Sequence, residues 1–354
     1  MKILIDIGHP AHVHLFKHFA WQMKGRGHEI LFTVRDKEYE IPLLKAYDFK
    51  FRSFGKHYKS RSGKLFGLLK FDFKMLQTAL LFKPDIFFSH GSVYAAQVAW
   101  LLRKPHISME DSGNMEQIRL YKPFTKAIIT PDVLPEMLGE KHIRYKAYHE
   151  IAYLHPNYYK PNDSIYEDLN INRNDKYCIL RFVSWNATHD IGQKGLSYDS
   201  KISIINMISA HMKVFISSES EISEELRKYK ISIPPEKMHD ALYFASLFVG
   251  EGATMASESG VLGTTAVYVN TIRRSYCEDQ ERYGLVYNFH DSNGAILKIE
   301  ELLSDTRNLK KKDKERNLLL KEKIDLTAFL VWFIENYPKS FQVMKDNPAY
   351  QDNF

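Results

Sequence analysis

The chain has 354 residues, of which 44% are hydrophobic and 26% are charged, and its formal net charge is +6. The composition is that of a globular protein, and the length favours two domains of about 170 residues each. Two cysteines are too few for a disulfide framework and favour a reducing cytoplasm. We expect no signal peptide and no membrane span, because no apolar run reaches about 18 residues. The modest positive charge suits an anionic ligand or membrane surface and does not require nucleic acid.

The first half alternates strands with helices. Residues 2–7 predict a buried strand, 8–14 a turn, 15–24 a helix closed by glycine, and 29–34 a second strand. Further strands are predicted at 86–89 and 106–109, with an alanine-rich helix between them that ends at residue 102. Short connections of this kind indicate right-handed parallel units.

Polar clusters follow three of these strands. They are Gly-His-Pro-Ala-His-Val-His at 8–14, His-Gly-Ser at 90–92, and Glu-Asp-Ser-Gly-Asn at 110–114. Open α/β sheets place their ligands at the carboxyl ends of the strands. The sequence therefore predicts that the three loops converge on one edge of a sheet.

Residues 56–83 are basic and aromatic, and two interpretations remain open for them. The cationic, leucine-rich and phenylalanine-rich part at 56–74 fits peripheral contact with an anionic membrane. A loop followed by a helix that packs its apolar face on the sheet, with the lysines in solvent, fits equally and is the interpretation that we favour.

The pattern weakens at 148–163, and 165–174 resembles a linker with a short helix, so we predict domains at 1–170 and 175–325. The second domain is predicted to have strands at 177–182, 213–217 and 231–233 and helices at 219–228 and 241–245. A charged helix or linker is expected at 310–323. An apolar helix at 326–336 carries aromatic side chains that need burial.

The stretch 247–270 organises the second half. A strand breaks at Gly250-Glu251-Gly252, a helix begins at about residue 253, and a second strand follows Gly263. Glycines allow close approach of a ligand, and the first helical turn offers N–H groups to a phosphate. Glu258, one turn into the helix, is placed to bind the hydroxyls of a ribose. An ordinary βαβ turn with a surface glutamate is the alternative.

These segments resemble known families. The stretch 252–258 is similar to the donor-site signature of the GT-B glycosyltransferases, MurG above all, and of the non-hydrolysing UDP-GlcNAc 2-epimerases. The loop at 8–13 resembles the first loop of MurG, and the Lys-Pro-Asp at 83–85, His-Gly-Ser at 90–92 and Glu-Asp-Ser-Gly at 110–113 resemble epimerase segments. The whole chain, including Ser-Trp-Asn-Ala-Thr-His-Asp at 184–190, resembles the DUF354 family.

The resemblance implies a GT-B fold, with two Rossmann-like α/β domains facing each other across a cleft and the helix at 326–340 packed back on the first domain. It implies that the second domain binds the donor. The residues carried over are Gly252, Ala253 and Thr254 for the pyrophosphate, Glu258 for the ribose, His239 near the nucleobase, Arg181 as a phosphate cation, and Asn186 and His189 in the cleft. Arg181 is alternatively a surface arginine, and His189 with Asp190 a structural pair.

In the first domain His12 is the predicted catalytic group, a neutral imidazole that takes the proton of an attacking hydroxyl. Glu110 and Asp111 are alternative bases, or caps of the next helix together with Ser112. The acceptor side is expected to include Gly8, His9, His14, His90 and Ser92. Four histidines in ten residues suggest a metal, but their spacing matches no closed zinc site, so we expect neither a metal nor a cofactor.

One departure bears on the reaction. Ser92 stands where the epimerases have aspartate, and 184–190 replaces their His-Arg-Arg-Glu-Asn segment, which puts epimerisation in doubt. We therefore expect a cytoplasmic glycosyltransferase that uses a nucleotide diphosphate sugar, UDP-sugar favoured, to extend a cell-surface glycan or lipid-linked acceptor. Peripheral contact with the inner membrane face through 56–74 is left open. The alternatives are a soluble UDP-GlcNAc epimerase or hydrolase and a non-catalytic binding protein. The sequence leaves open the sugar, the acceptor, the stereochemistry and the oligomeric state.

Overall fold

The computed structural model describes residues 1–56, 61–183, 196–218, 222–305, 309 and 311–354, with the backbone alone for 61–66. The chain forms two compact units. The first comprises Met1–Tyr153 and Ile324–Phe354, and the second comprises Leu154–Lys323. Each unit has its own parallel sheet.

The sheet of the first unit has seven strands in the order β3-β2-β1-β4-β5-β6-β7. They are β1 (Lys2–Ile7), β2 (Glu29–Asp36), β3 (Phe51–Lys56), β4 (Ile86–His90), β5 (His106–Met109), β6 (Ala127–Pro131) and β7 (His142–Tyr145). The pairs are parallel, and Ser89 lies between Asp6 of β1 and Ser108 of β5 in register. The predicted strands at 2–7, 29–34, 86–89 and 106–109 are present. No prediction was made for β3, β6 and β7.

The helices of this part are α1 (Pro10–Gly25), α2 (Glu40–Ala46), α3 (Arg61–Phe82), α4 (Val93–Leu101), α5 (Met115–Tyr121) and α6 (Ile151–Leu154). Pro10 opens α1, where its missing N–H costs nothing, and the imidazole of His9 caps it by accepting from the N–H of Ala11. Helix α1 buries Val13, Phe16 and Ala20 at helical spacing against the sheet.

Helix α3 packs on the sheet, as the interpretation that we favoured requires. Phe71, Met75 and Ala79, spaced one turn apart, are buried in a cluster with Leu4 and Phe87. Leu69, Phe73, Leu80 and Leu81 of the same helix are exposed. In the described part of the chain no helix is both long and apolar enough to cross a bilayer.

The second unit has a five-stranded parallel sheet in the order β12-β11-β10-β8-β9. In chain order its elements are α7 (Ile165–Asp168), β8 (Tyr177–Phe182), α8 (Tyr198–Ser209), β9 (Lys213–Ser218), α9 (Met238–Phe244), β10 (Leu247–Gly250), α10 (Ala253–Val261), β11 (Ala266–Val269), α11 (Ser275–Glu281), β12 (Val286–Phe289), α12 (Ser292–Ser304) and α13 (Asp313–Glu322). The core between the sheet and the helices α8 and α12 is made of Ile, Leu and Val side chains.

Two predicted elements of this unit are wrong in detail. The strand at 231–233 does not form, and Lys230 makes only an isolated bridge to Ile216. Pro234 and Pro235 follow at once, and prolines supply no N–H to a ladder and restrict the residue before them. Within the helix predicted at 219–228, the described residues Glu224–Tyr229 form a 3-10 helix.

The chain then returns to the first unit through α14 (Leu326–Glu335) and α15 (Lys339–Asp346). Asp325 caps α14 by accepting from the N–H of Ala328, and Phe329 and Phe333 are fully buried. Glu335 at the end of α14 pairs with Arg26 and His28, which follow α1. The aromatic side of this helix thus obtains the burial that its sequence requires.

Candidate functional site

In the first unit the carboxyl ends of β1, β4 and β5 are neighbours, because the three strands pair in parallel. Gly8 and His9 with the first turn of α1, the His-Gly-Ser loop and the Glu-Asp-Ser loop therefore leave the sheet at one edge. The turn predicted at 8–14 is shorter than expected, because Pro10 already opens α1. The predicted convergence of these loops is present in the structure. The segment after β7, which carries His149, meets them at the same edge.

His12 lies in the first turn of α1, and the backbone of the preceding loop holds its ring. The N–H of Gly8 lies 3.3 Å from Nδ1 of His12, which accepts it, so the proton of a neutral ring lies on Nε2. A side chain at Gly8 would come within 3.2 Å of the Arg35 guanidinium, which is anchored on Asp6 by two bonds of 2.7 and 2.8 Å. His14, expected on the acceptor side, is instead buried with Nδ1 3.3 Å from the Tyr47 hydroxyl.

His12 lies against His90. The two rings stack with centroids 4.3 Å apart and planes at 28°. Burial is the main cause that holds the pKa of His12 well below its usual value, and the positive charge of His90 lowers it further. The ring of His9, whose centroid lies 5.9 Å from that of His12, caps α1. His12 is therefore a neutral imidazole at neutral pH.

A hydrogen-bonded chain continues from His90 through Asp111 to His149. His90 Nε2 lies 2.9 Å from Asp111 Oδ1, and His149 Nδ1 lies 3.0 Å from Asp111 Oδ2. Burial alone would lower the pKa of His90, but the hydrogen bond and charge of Asp111 outweigh it and raise that pKa. Burial would raise the pKa of Asp111, but the two histidines outweigh it and hold it well below its usual range.

Sequence reasoning missed His149. It follows β7 in the stretch at 148–163 where the periodic pattern weakens, and it contacts residues far earlier in the chain. The only available signal was a His-Glu pair in a Tyr- and His-rich segment, which indicates no particular chemistry on its own.

The Glu110 carboxylate organises its own loop. Oε1 accepts from the N–H groups of Asp111 and Ser112 and from the Ser112 hydroxyl, and Oε2 accepts from the Tyr121 hydroxyl. The side chain is 1% exposed. The alternative that Glu110 caps the next helix together with Ser112 is wrong, because Asn114 caps α5 by accepting from the N–H of Gln117. A role of Glu110 as base stays a prediction.

Ser92 and Gly91 shape the neighbouring loop. The Ser92 hydroxyl caps α4 by accepting from the N–H of Ala95 at 3.1 Å. Gly91 has φ of +59°, and a Cβ there would lie 2.9 Å from the Gln117 amide, so this position favours glycine. Ser92 therefore has a local role at the position where the epimerases have aspartate.

In the second unit, Arg181 of β8 lies beside the start of α10. Gly250 pairs with Arg181 across the sheet, and a Cβ at Gly250 would come within 2.8 Å of the Arg181 Cβ and carbonyl oxygen. A Cβ at Gly252 would lie 3.3 Å from the Arg181 Cγ. The guanidinium donates to the Ser217 hydroxyl at 2.8 Å, which orients it. The two glycines thus allow an arginine to run along the beginning of a helix.

The helix N-terminus itself presents backbone donors. Gly252 is the N-cap residue and provides no side-chain cap, and the first helical bond runs from Ala256 N–H to Gly252 O. The N–H groups of Ala253, Thr254 and Met255 consequently have no partner within α10. With the positive end of the helix dipole, they form an arrangement that suits an anion.

Glu258 of α10 and His239 of α9 form a buried pair. His239 Nε2 lies 3.1 Å from Glu258 Oε1, and the two residues are 3% and 4% exposed. The predicted ribose-binding and nucleobase-side residues are therefore linked to each other, and the hydrogen bond fixes the orientation of both.

Glu251, which sequence reasoning did not single out, ties this loop to its surroundings. Its buried carboxylate accepts from the N–H of Val183 at 3.0 Å and of Leu196 at 2.6 Å, and Lys201 Nζ lies 3.5 Å away. The Gly-Glu-Gly pattern at 250–252 was the available signal for Glu251, but sequence reasoning considered only its two glycines.

The predictions for Asn186 and His189 fall outside the described residues.

A model of the family described as "Protein of unknown function (DUF354)" matches residues 1–339. The chain belongs to the DUF354 family. An uncharacterised protein of Methanocaldococcus jannaschii is 26% identical over 279 residues, which cover 75% of this DUF354 chain and 81% of that protein.

Solved structures establish the fold as GT-B. A Staphylococcus aureus MnaA–UDP structure matches with a TM-score of 0.69 at 12% identity over 96% of this chain and 97% of that one. The UDP-GlcNAc 2-epimerase of Neisseria meningitidis bound to UDP-GlcNAc matches with a TM-score of 0.63 at 11% identity, over 95% of this chain and 100% of that one. The MurG of Acinetobacter baumannii matches with a TM-score of 0.56 at 14% identity, over 94% of this chain and 99% of that one. The fold neighbours are thus enzymes, both epimerases and transferases.

Proposed function

We propose that this DUF354 protein is a glycosyltransferase that takes a sugar from a nucleotide diphosphate sugar, UDP-sugar favoured, to an acceptor of a cell-surface glycan or lipid-linked saccharide. The observation that carries the proposal is the placement of Arg181 beside the uncapped N-terminus of α10. A fixed cation and converging N–H groups are the elements that bind a diphosphate and stabilise it as it leaves.

The donor contacts follow from this arrangement. The N–H groups of Ala253 and Thr254 bind the diphosphate, with Gly252 allowing its close approach, and Arg181 supplies the positive charge in place of a metal ion. The carboxylate of Glu258, oriented by His239, accepts from the ribose hydroxyls. The names of two fold neighbours support a nucleotide ligand of this class, since they record UDP and thymidine diphosphate.

The acceptor side is assigned to the first unit. His12 is the group that contacts the attacking hydroxyl, and Nδ1 is the ring atom with a lone pair to take its proton. Among the described residues, Gly8 donates its N–H to that lone pair at 3.3 Å, which is long for a hydrogen bond and is given up to a substrate at low cost. We favour His12 over Glu110 as the base, because four hydrogen bonds already occupy the Glu110 carboxylate.

The proposal places the protein at the inner face of the cell membrane. The support lies in α3, where Leu69 and Phe73 expose 68% and 59% of their surface next to Lys70. Apolar side chains among lysines favour the interface of an anionic bilayer. A lipid-linked acceptor would then be available where the enzyme docks.

A UDP-GlcNAc 2-epimerase is the second candidate. It is favoured by the TM-score to the Neisseria epimerase, 0.63 against 0.56 for MurG. Against it, Ser92 caps a helix where the epimerases carry aspartate, and Glu110 is committed to its loop. Removal of a proton from sugar C2 requires such acids and bases.

The deciding experiment separates the two reactions by their need for an acceptor. Purified protein is incubated with UDP-GlcNAc and related UDP-sugars, with and without a membrane lipid extract, and the products are identified by mass spectrometry and NMR. Sugar transferred to the lipid fraction together with released UDP supports the transferase. Conversion of UDP-GlcNAc to its C2 epimer without lipid supports the epimerase, and nucleotide binding without turnover indicates a binding protein.

A further inference from the structure

A compact group of metal-ligating side chains lies in the first unit and comes from three separate segments. His90 is the last residue of β4, Asp111 follows β5, and His149 follows β7, so the group is assembled by the sheet and not by local sequence. One ligand atom from each residue lies within 4.8 Å of the other two. The four histidines near the N-terminus contribute no member to this group.

The ligand types narrow the choice of ion. Two imidazole nitrogens and one carboxylate oxygen suit Zn²⁺, Co²⁺, Mn²⁺ or Fe²⁺, whereas Mg²⁺ and Ca²⁺ prefer oxygen alone. The nitrogen–oxygen distances of 2.9 and 3.0 Å across Asp111 are close to the separations between neighbouring ligands of one ion.

Two buried polar atoms lie next to the group. Nε2 of His149 and the hydroxyl of Tyr145 have no hydrogen-bond partner among the described residues, although His149 is 7% exposed and Tyr145 fully buried. The two rings stack with centroids 6.3 Å apart. Because Nε2 is on the opposite side of the ring from the Nδ1 that faces Asp111, these two atoms suit a buried water beside the group, and Nδ1 is the atom of His149 that would bind the ion.

We propose that His90, Asp111 and His149 bind one divalent transition-metal ion, with zinc-class ions preferred over magnesium. Three protein ligands leave a fourth position for water or a substrate oxygen. His12, stacked on His90, would stand beside that position. The three proposed ligands all belong to the first unit, whereas α10 belongs to the second, and binding of the ion does not depend on the proposed reaction.

The test is direct metal binding by the full-length protein after removal of metals with a chelator. Zn²⁺, Co²⁺ and Mg²⁺ are titrated by calorimetry, and bound Co²⁺ is followed by its visible absorption. The variants are His90→Gln, Asp111→Asn and His149→Gln, which keep hydrogen-bonding side chains. His142→Gln is the matched control, because His142 is a buried histidine of the same sheet, bonded to Thr130, outside the group.

We expect one Zn²⁺ or Co²⁺ per chain, little heat with Mg²⁺, and a loss of affinity of at least about 100-fold in each of the three variants, beyond what loss of an outer-shell partner causes. The His142→Gln control should keep wild-type affinity. Absence of stoichiometric binding overturns the proposal and leaves a purely hydrogen-bonded His–Asp–His chain. Full affinity in the variants overturns it as well. If the His142→Gln control also loses binding, the visible spectrum of Co²⁺ bound to the wild type tests the ligand assignment. Weak absorption, typical of an octahedral ion with oxygen ligands alone, would contradict the proposed ligands.

Discussion

The imidazole of His12 stacks on that of His90, and the backbone N–H of Gly8 holds its Nδ1 from the other side. The ring is therefore fixed in position at the carboxyl end of β1 before any substrate arrives. A catalytic side chain with a preset orientation loses little freedom when the acceptor binds. This relationship makes His12 the residue of the first unit whose loss should affect turnover most selectively.

His12→Asn should lower turnover by about 100- to 10,000-fold, the usual contribution of a general base, while nucleotide binding by the second unit stays at its wild-type level. The two quantities are measured by UDP release and by calorimetry with UDP. His18→Asn is the control, since His18 lies on the same helix with its ring against Trp21. Equal turnover in the His12 and His18 variants would contradict the assignment.

The two glycines before α10 should respond differently to alanine. Gly250→Ala forces a Cβ to within 2.8 Å of the Arg181 backbone, which cannot move without disturbing the sheet, so a loss of about 1–3 kcal/mol of unfolding free energy is expected. Gly252→Ala meets only the Arg181 side chain at 3.3 Å and should mainly weaken nucleotide binding.

Urea unfolding and calorimetry measure the two effects. Gly25→Ala, where no atom lies within 4 Å of the new Cβ, should leave stability unchanged or slightly higher. A Gly250→Ala variant as stable as the wild type would contradict the close packing of Arg181 against Gly250.

Lys311 gives a pH dependence of stability. Burial is the main cause that lowers its pKa from 10.5 to about 7, although Nζ donates to the Tyr243 carbonyl. Between about pH 7 and 10.5 the unfolded chain holds a proton that the folded chain has released, so stability should rise with pH across this window. Below pH 7 both states hold the proton, and the cost of the buried charge is fully present.

Lys311→Met should abolish this contribution. The difference in unfolding free energy between the variant and the wild type, measured in urea at pH 6, 7, 8 and 9, should favour the variant most at pH 6 and shrink as the pH rises. A difference that is constant with pH would show that Lys311 keeps its proton in the folded state.

The exposed side of α3 should mediate membrane contact. The double variant Leu69→Ser and Phe73→Ser removes two exposed apolar side chains and should reduce co-sedimentation with vesicles that contain anionic phospholipid, without changing stability. Leu297→Ser, 67% exposed in the second unit, is the control. Equal binding by all three proteins would exclude this surface as the docking site.

Much of the fold was predictable because its signals are local. A buried apolar strand that ends in glycine and is followed by helical periodicity marks β1 with α1 and β10 with α10, and both are present. The strand predicted at 231–233 failed because two prolines outweighed a short run of β-branched residues. Strands β3, β6 and β7 were not predicted. Short strands give little periodic signal in one sequence, and β4 and β5, which are as short, were predicted because conspicuous polar clusters follow them.

The candidate site was predictable only where a motif carries it. The loops with His12, His90 and Gly252 have glycines that reveal them, whereas His149 and Glu251 act through contacts that the tertiary fold creates. His14 shows the converse, since its place in a histidine-rich motif suggested a ligand and its helical position buries it instead. The direction in which a side chain leaves α1 decides whether it faces the site or the core, and the histidine-rich motif alone does not give that direction.

The most direct test of the account is calorimetric titration with UDP, GDP, CDP and TDP, with and without EDTA, on the wild type and on Arg181→Met and Glu258→Ala. Arg173→Met, an exposed arginine of the same unit, is the control for lost charge. We expect micromolar binding of one nucleotide that survives EDTA, persists in the Arg173 variant, and falls at least tenfold in the other two. Binding of none of the four nucleotides, or equal binding by all variants, would contradict the donor site on α10.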